Sequence, residues 1–382
     1  MSKWKTVRLG DVCEIAAGQG APQGDSNYCD EGTPFVKAGN LIELIEGKSE
    51  KQIQKVSEEV AKSHKLKKYK ASSILFAKSG MSCMKGYVYQ LKNDCYVVSH
   101  LAIVKPKEDF SDYIEYCLRH IKPNTLVKDE AYPSISLQDI SNLQIPLPPL
   151  ETQKQIAAVL DKCTSLISKY KKILEKYDTL IKSRFIEMFG DPTTNPMNWD
   201  TVNISSLLTA NASNGFFAKR DEYTEDGNVE VLGVVNIVNT MYSRIDLLPK
   251  TNASEKDIKK YSVKYGDMLF CRSSLVAEGI GKASIVPENI NKTILFECHV
   301  IRLRLDLNKC VPEYMQMLST TSFFRNQVLK HAKTSTMTTI GQDGILKTDV
   351  RLPPIEKQKQ FLSFIKQIDK SKFEYIYTGV AA

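Results

Sequence analysis

From Ile156 onward, apolar side chains recur at alternating spacings of four and three: Leu160, Cys163, Ile167, Tyr170, Leu174, Tyr177, Ile181, Arg184 and Met188, with Arg184 the one charged exception. A period near 3.5 keeps one stripe turned toward one partner, so the pattern predicts a coiled-coil seam on a single long helix. Pro148-Pro149 sets its start, because Pro149 at a first helical position needs no amide partner while the residue before a proline is held extended. Gly190-Asp191-Pro192 sets its end, a glycine able to take the left-handed C′ conformation followed by a helix breaker. At about 1.5 Å per residue the stretch from Glu151 to Phe189 spans on the order of 57 Å and calls for a partner of comparable length.

The same exit occurs twice. Leu147-Pro148-Pro149-Leu150-Glu151-Thr152-Gln153-Lys154-Gln155 returns as Leu352-Pro353-Pro354-Ile355-Glu356-Lys357-Gln358-Lys359-Gln360, with seven identities in nine positions. Earlier landmarks follow in order: Trp4 and Trp199, Asn40 and Asn236, Leu75-Phe76 and Leu269-Phe270, His100 and His299. The offset drifts from about 195 to 205, as loop insertions between two copies of one fold would make it. Each copy carries β-branched and aromatic runs, such as Tyr87-Val88-Tyr89 and Ile301 to Leu305, and helical patterns near 112–121 and 312–330. These imply two similar α+β domains, each followed by a helix. In the second helix Phe361, Ile365, Ile368 and Tyr375 match Ile156, Leu160, Cys163 and Tyr170, while Lys372 stands where Ile167 would be matched.

The chain of 382 residues, 42% hydrophobic and 25% charged, is long enough for two cores. It contains no run of about 18 apolar residues, and Met1-Ser2-Lys3-Trp4-Lys5 lacks the apolar stretch of a secretory signal. A soluble, cytoplasmic protein without a membrane partner is expected. The nine cysteines stand singly, without a C-x-x-C pair or zinc-ligand spacing, which predicts free and mostly buried thiols and no metal site. A net charge of +8 suits a polyanionic partner without demanding one.

Two similar domains, each leaving through L-P-P-x-E-x-Q-K-Q into a long heptad helix, closely resemble the specificity subunits of type I restriction-modification enzymes. The resemblance implies a fold of two mixed α/β target-recognition domains, 1–148 and 191–352. It also implies helices 149–190 and 353–382 that form an antiparallel coiled coil with pseudo-two-fold internal repetition. The function it implies is noncatalytic: reading an asymmetric, bipartite stretch of double-stranded DNA with one domain per half-site. Two modification subunits carrying S-adenosylmethionine would dock on the coil, and restriction subunits would add cleavage. No cofactor is expected on this chain. The seam residues Ile156, Leu160, Ile167, Tyr170, Leu174, Tyr177, Ile181, Phe361, Ile365 and Ile368 form the expected coil or subunit interface. Because few residues follow Tyr375, the Ile181–Met188 end of the central helix is expected to be unmatched and open to another subunit or a second copy of this chain.

The chemistry of a self-contained enzyme is missing from the motifs. A flipped adenine needs an acidic or Asn residue, Pro-Pro and an aromatic in sequence, and Asn195-Pro196-Met197-Asn198 and Asp191-Pro192-Thr193-Thr194 both lack the second proline and the ring. Glycines 18, 20 and 24 fit no phosphate-loop spacing, and the five histidines show no catalytic context in the sequence. The rival readings are a methyltransferase or nuclease with duplicated recognition domains, which requires a cofactor site, and a protein-binding adaptor.

Candidate DNA contacts fall in three places. Lys67, Lys68 and Lys70 close a lysine cluster that begins at Lys62, opposed by Glu58 and Glu59, and can equally be a solvated helix face. The paired loops after Leu75-Phe76 and Leu269-Phe270 supply Lys78, Ser79 and Lys85 in one copy and Arg272, Ser273, Ser274 and Lys282 in the other. Before each exit lie Tyr132-Pro133-Ser134 and His331, Lys333, Thr334, Ser335 and Thr336.

Overall fold

The computed structural model describes residues 4–108, 110–275, 277–334 and 337–380, with the side chains of 277 and 373–380 outside that description. Its contacts cluster into two compact units, Met1–Lys169 and Tyr170–Ala382. The predicted Ser335, Thr336 and the Tyr375 side chain lie outside the described residues.

In the first unit, strands Cys13–Ala17, Leu101–Pro106, Ile74–Ala77 and Val88–Gln90 form an antiparallel sheet in that order. Ile74, Leu75, Phe76 and Ala77 are all buried, so this strand is covered on both faces and reads as a continuous apolar run. A second sheet pairs Thr33–Val36 with Lys55–Val56 antiparallel and with Tyr96–Val97 parallel. The N-terminal strand Thr6–Arg8 pairs with Gln144–Pro146, which closes the unit just before its exit.

The second unit repeats this order. Ser213–Asn214, Val300–Arg304, Asp267–Cys271 and Ala283–Ile285 make the antiparallel sheet, and Lys250–Thr251, Val229–Leu232 and Ile294–Phe296 the mixed one. Asp200–Asn203 pairs with Asp349–Leu352 at the closing position. The predicted helices are present as Ser111–Ile121, Pro312–Thr320 and Ser322–Lys330. Tyr113 donates to the Pro146 carbonyl at 2.7 Å, and Tyr314 at the matching place donates to the Arg351 carbonyl at 2.6 Å. One fold therefore accounts for both copies.

The exit motif has a local physical reason. Gln153 is buried and donates from Nε2 to the Pro148 carbonyl at 2.7 Å, and Gln358 does the same to Pro353 at 2.7 Å. The glutamine reaches back over the double proline and satisfies a carbonyl at the turn from strand to helix. The helices are Leu150–Phe189 and Ile355–Val380, so each second proline sits one position ahead of the first helical residue and accepts the first-turn bond, from Gln153 and Lys357 respectively. The central helix ends where the sequence predicts: Gly190 has φ +75°, and a Cβ there would meet Pro196 Cγ at 2.5 Å. The Trp199 indole donates to the Phe189 carbonyl at 2.8 Å, capping one of the last carbonyls.

Within the second unit the C-terminal helix runs antiparallel to the end of the central one. Phe361 packs on Phe185 and Phe189 with ring centroids 5.6 Å from each, and eleven residues later Lys372 lies against Tyr177 and Asp178. Tyr314 completes the aromatic cluster, 4.8 Å from Phe189 and 5.6 Å from Phe185. Ile365 and Ile368 are buried in the same core. This overturns the expectation that the Ile181–Met188 end is free, because Ile181, Phe185 and Met188 are buried and belong to the second core. Phe361 is the counterpart of Ile156 by duplication, and the antiparallel pairing sets it against the opposite end of the central helix. Ile156 packs on the first unit's core, Tyr170 and Tyr177 are half-buried, and Leu160, Ile167 and Leu174 remain exposed.

Candidate nucleic-acid interface

In each unit three segments converge beside the central strand of the antiparallel sheet. Strand Ile74–Ala77 delivers Lys78 and Ser79, and Asp267–Cys271 delivers Arg272 and Ser273. Lys78 donates its amide to the His100 carbonyl at 2.9 Å, and Arg272 to that of His299 at 2.8 Å. The side chains pair as well: Ser79 Oγ lies 2.8 Å from His100 Nδ1, and Ser273 Oγ 3.1 Å from His299 Nδ1. The third segment comes from the pre-exit loops. Ile135 donates to the Lys78 carbonyl at 2.7 Å and Ile340 to the Arg272 carbonyl at 3.0 Å. Ser79 bridges to Ser134, and Ser273 and Ser274 pair with Thr339 and Thr338. Lys333 and Thr334 add a further strand against Thr339 and Thr338.

Loops that are distant in sequence thus form one composite surface per unit, joining part of the second and third groups of predicted residues: Lys78, Ser79 and Ser134 in the first unit, and Arg272, Ser273, Ser274, Lys333 and Thr334 in the second. The two histidines are exposed and were missed as site residues; their signal was their place in the repeat alignment. A large apolar side chain also stands at the same loop position in both units, Met81 at 70% and Leu275 at 83% exposure, with Tyr132 at 82% on the adjoining loop of the first.

The other predicted residues have different settings. Lys67, Lys68 and Lys70 follow the helix Glu58–Ser63 rather than lying on it, because Lys65 at φ +53° has turned the chain. Lys67 and Lys68 lie over the Tyr69 and Tyr96 rings, at 5.6 and 5.7 Å, and Lys70 pairs with Asp94 at 2.8 Å. That lysine is the first cause of the Asp94 carboxyl titrating below its ordinary value. Gln19 ties this segment to the histidine strand, donating to the Lys65 carbonyl, accepting from the Lys67 amide and accepting from Ser99 at its own carbonyl. Gly18 permits this approach, since a Cβ there would stand 2.2 Å from the Val98 carbonyl; Gly215 in the second unit faces Phe296 in the same way at 2.1 Å.

Lys85 is exposed near the Tyr87 ring. Lys282 donates to Asn239 at 2.8 Å and lines a cavity of about 640 Å³ with Lys182, Arg325 and Lys372. His331 caps the helix Ser322–Lys330. The half-buried Arg272 donates to the Cys298 carbonyl at 3.1 Å.

Among the described residues no group of three or more His, Cys, Asp or Glu side chains is placed to hold a metal ion, and no helix is long and apolar enough to cross a membrane. Cys13, Cys83, Cys95, Cys271 and Cys310 are free and buried, and burial pushes the Cys13 thiol up to about 12. Among the described residues no hydrogen bond or ion pair joins His100 or His299 to a carboxylate; each imidazole is paired with its serine.

A family model described as the type I restriction modification DNA specificity domain matches residues 1–176 and again 196–377. The EcoKI specificity subunit of Escherichia coli K12 is 24% identical over 243 residues, 59% of this chain and 50% of that protein. The MjaVIII specificity subunit of Methanocaldococcus jannaschii is 24% identical over 277 residues, 67% of this chain and 63% of that one. The matched stretches therefore span between half and two thirds of those relatives. In fold the chain is similar to the crystal structure of a type I restriction-modification S subunit from M. genitalium, with a TM-score of 0.57 at 11% identity, covering 98% of this chain and 92% of that one.

Proposed function

Because the chain belongs to the type I restriction-modification DNA specificity family, we propose that it is the subunit that selects DNA sequence for such a system and carries no catalysis of its own. The observation that carries this reading is the duplication. Two units of one topology each present a hydroxyl, imidazole and cation surface built from three converging loops, the kind of set that contacts phosphate and base edges.

Residues 1–148 and 191–352 are then the two readers, each taking one half of a split target in double-stranded DNA. The helices 149–190 and 353–382 connect and space them. The exposed Leu160, Ile167 and Leu174 on the central helix supply an apolar stripe for two modification subunits, with restriction subunits added outside them. S-adenosylmethionine belongs on the modification subunits, and the complex works in the cytoplasm. The similarity to proteins named as specificity subunits supports this assignment.

Mapping methylated adenines tests it. Co-expressed with its modification subunit in cells free of adenine methylation, the chain should place methyl groups at one motif of two short blocks separated by unread positions. Methylation by the chain without that subunit, or a motif unchanged when this chain is exchanged for another of its family, would overturn the reading.

A further inference from the structure

We propose that the repeated Ser–His pair, with its neighbouring cation, is a phosphate clamp: it holds the DNA backbone at each half-site and reads no bases. The inference rests on the function proposed above and divides its surface in two. Readers of two different sequences must differ where they touch bases, whereas the sugar–phosphate backbone is the same under both. What survives duplication should therefore face the backbone.

Four polar positions survive. Lys78 and Arg272 give the cation, Ser79 and Ser273 the hydroxyl, His100 and His299 the imidazole, and Ser134 and Thr339 the hydroxyl residue bridged to that serine. The backbone bonds holding them, from Lys78 and Arg272 to the histidine carbonyls and from Ile135 and Ile340 to the cation carbonyls, are also the same. Around this frame the loops diverge: Gly80 in one copy stands where the other has Ser274, and Lys85 falls in the first loop and Glu278 in the second.

The pair has the chemistry of an anion contact in either tautomer. If Ser Oγ–H donates to Nδ1, the imidazole turns an Nε2–H outward; if Nδ1–H donates to Oγ, the serine hydroxyl proton turns outward. One donor is always offered, one residue along the chain from Lys78 or Arg272, which suits a phosphodiester oxygen.

The test uses the full chain bound to its modification subunit, a labelled mixed-sequence duplex, and a duplex carrying the mapped motif. Replacing both histidines (His100→Ala with His299→Ala) should weaken both duplexes by the same factor, about tenfold, as expected for losing hydrogen bonds to a charged group. The preference for the motif and the methylated sequence in cells should be unchanged. His100→Gln with His299→Gln keeps an outward donor and should recover part of the loss, and it substitutes for the alanine pair if that fails to fold. Lys78→Gln should lower the slope of log affinity against log salt by about one. A loss confined to the motif duplex would make the cluster a base reader, and unchanged affinity with a lowered Tm would make it a loop tie; either overturns the proposal. If the unmodified complex binds no duplex, it is the function itself that fails.

Discussion

Gln153 and Gln358 occupy equivalent buried positions, yet their bonds differ. Gln358 donates to Pro353 and also accepts from the Val311 amide at 2.8 Å, whereas Gln153 Oε1 has no partner among the described residues. Removing Gln358 leaves a buried donor and a buried acceptor unmatched. Gln358→Ala should therefore cost about 1–3 kcal/mol and Gln153→Ala less, as read from urea midpoints. Glu313 makes a second prediction at this scale. It is 1% exposed and accepts from Tyr242 at 3.0 Å and Tyr265 at 3.1 Å, but burial is the larger influence and raises its titration above the ordinary 4.5. The folded state thus keeps this proton to higher pH than the unfolded chain. The contribution to stability is full below 4.5 and is lost as pH climbs through the raised folded value. Glu313→Gln, which stays neutral, should gain on the unmodified protein across that window and level off above it; parallel stability profiles from acid to neutral pH would refute this.

At the scale of elements, the two helices carry one periodic pattern with two different settings. Phe361 is fully buried against Phe185 and Phe189, so Phe361→Ala opens a cavity and should cost about 3–5 kcal/mol. Ile167 sits in the same heptad frame at 57% exposure, and Ile167→Ala should change folding by less than about 0.5 kcal/mol. Under the proposed function it should instead reduce co-sedimentation with the modification subunit. The sequence made the helices, their start and their end legible, because heptads, prolines and a C′ glycine act locally. It did not reveal which stretch of the seam is filled within the chain, since pairing direction is a tertiary fact and the same apolar residue suits a core or an interface. The Ser–His pairs were hidden for a similar reason: Ser79 and His100 meet only once their strands are adjacent in the sheet.

For the whole molecule, the repeat in the sequence proved the most informative signal. Few residues are shared between the copies, yet both sheets and the closing strand pair recur in the same order. If the central helix spaces the two readers, its length is the ruler. Seven residues inserted between Ile167 and Leu174 add one seam repeat and about 10.5 Å, or about three base pairs at 3.4 Å each. Methylome sequencing should then show an unread gap about three positions longer, and an unchanged gap would remove the helix from that role.

The aromatic cluster also constrains how the polypeptide is made. Phe185 and Phe189 leave the ribosome long before Phe361, so the second core waits, incomplete, for the last helix to be synthesised. The late helix is tethered to the chain that carries the open cluster, so its effective concentration there favours closing on its own unit. The order of synthesis thus leaves Phe185 and Phe189 without their Phe361 partner until the second unit is nearly complete.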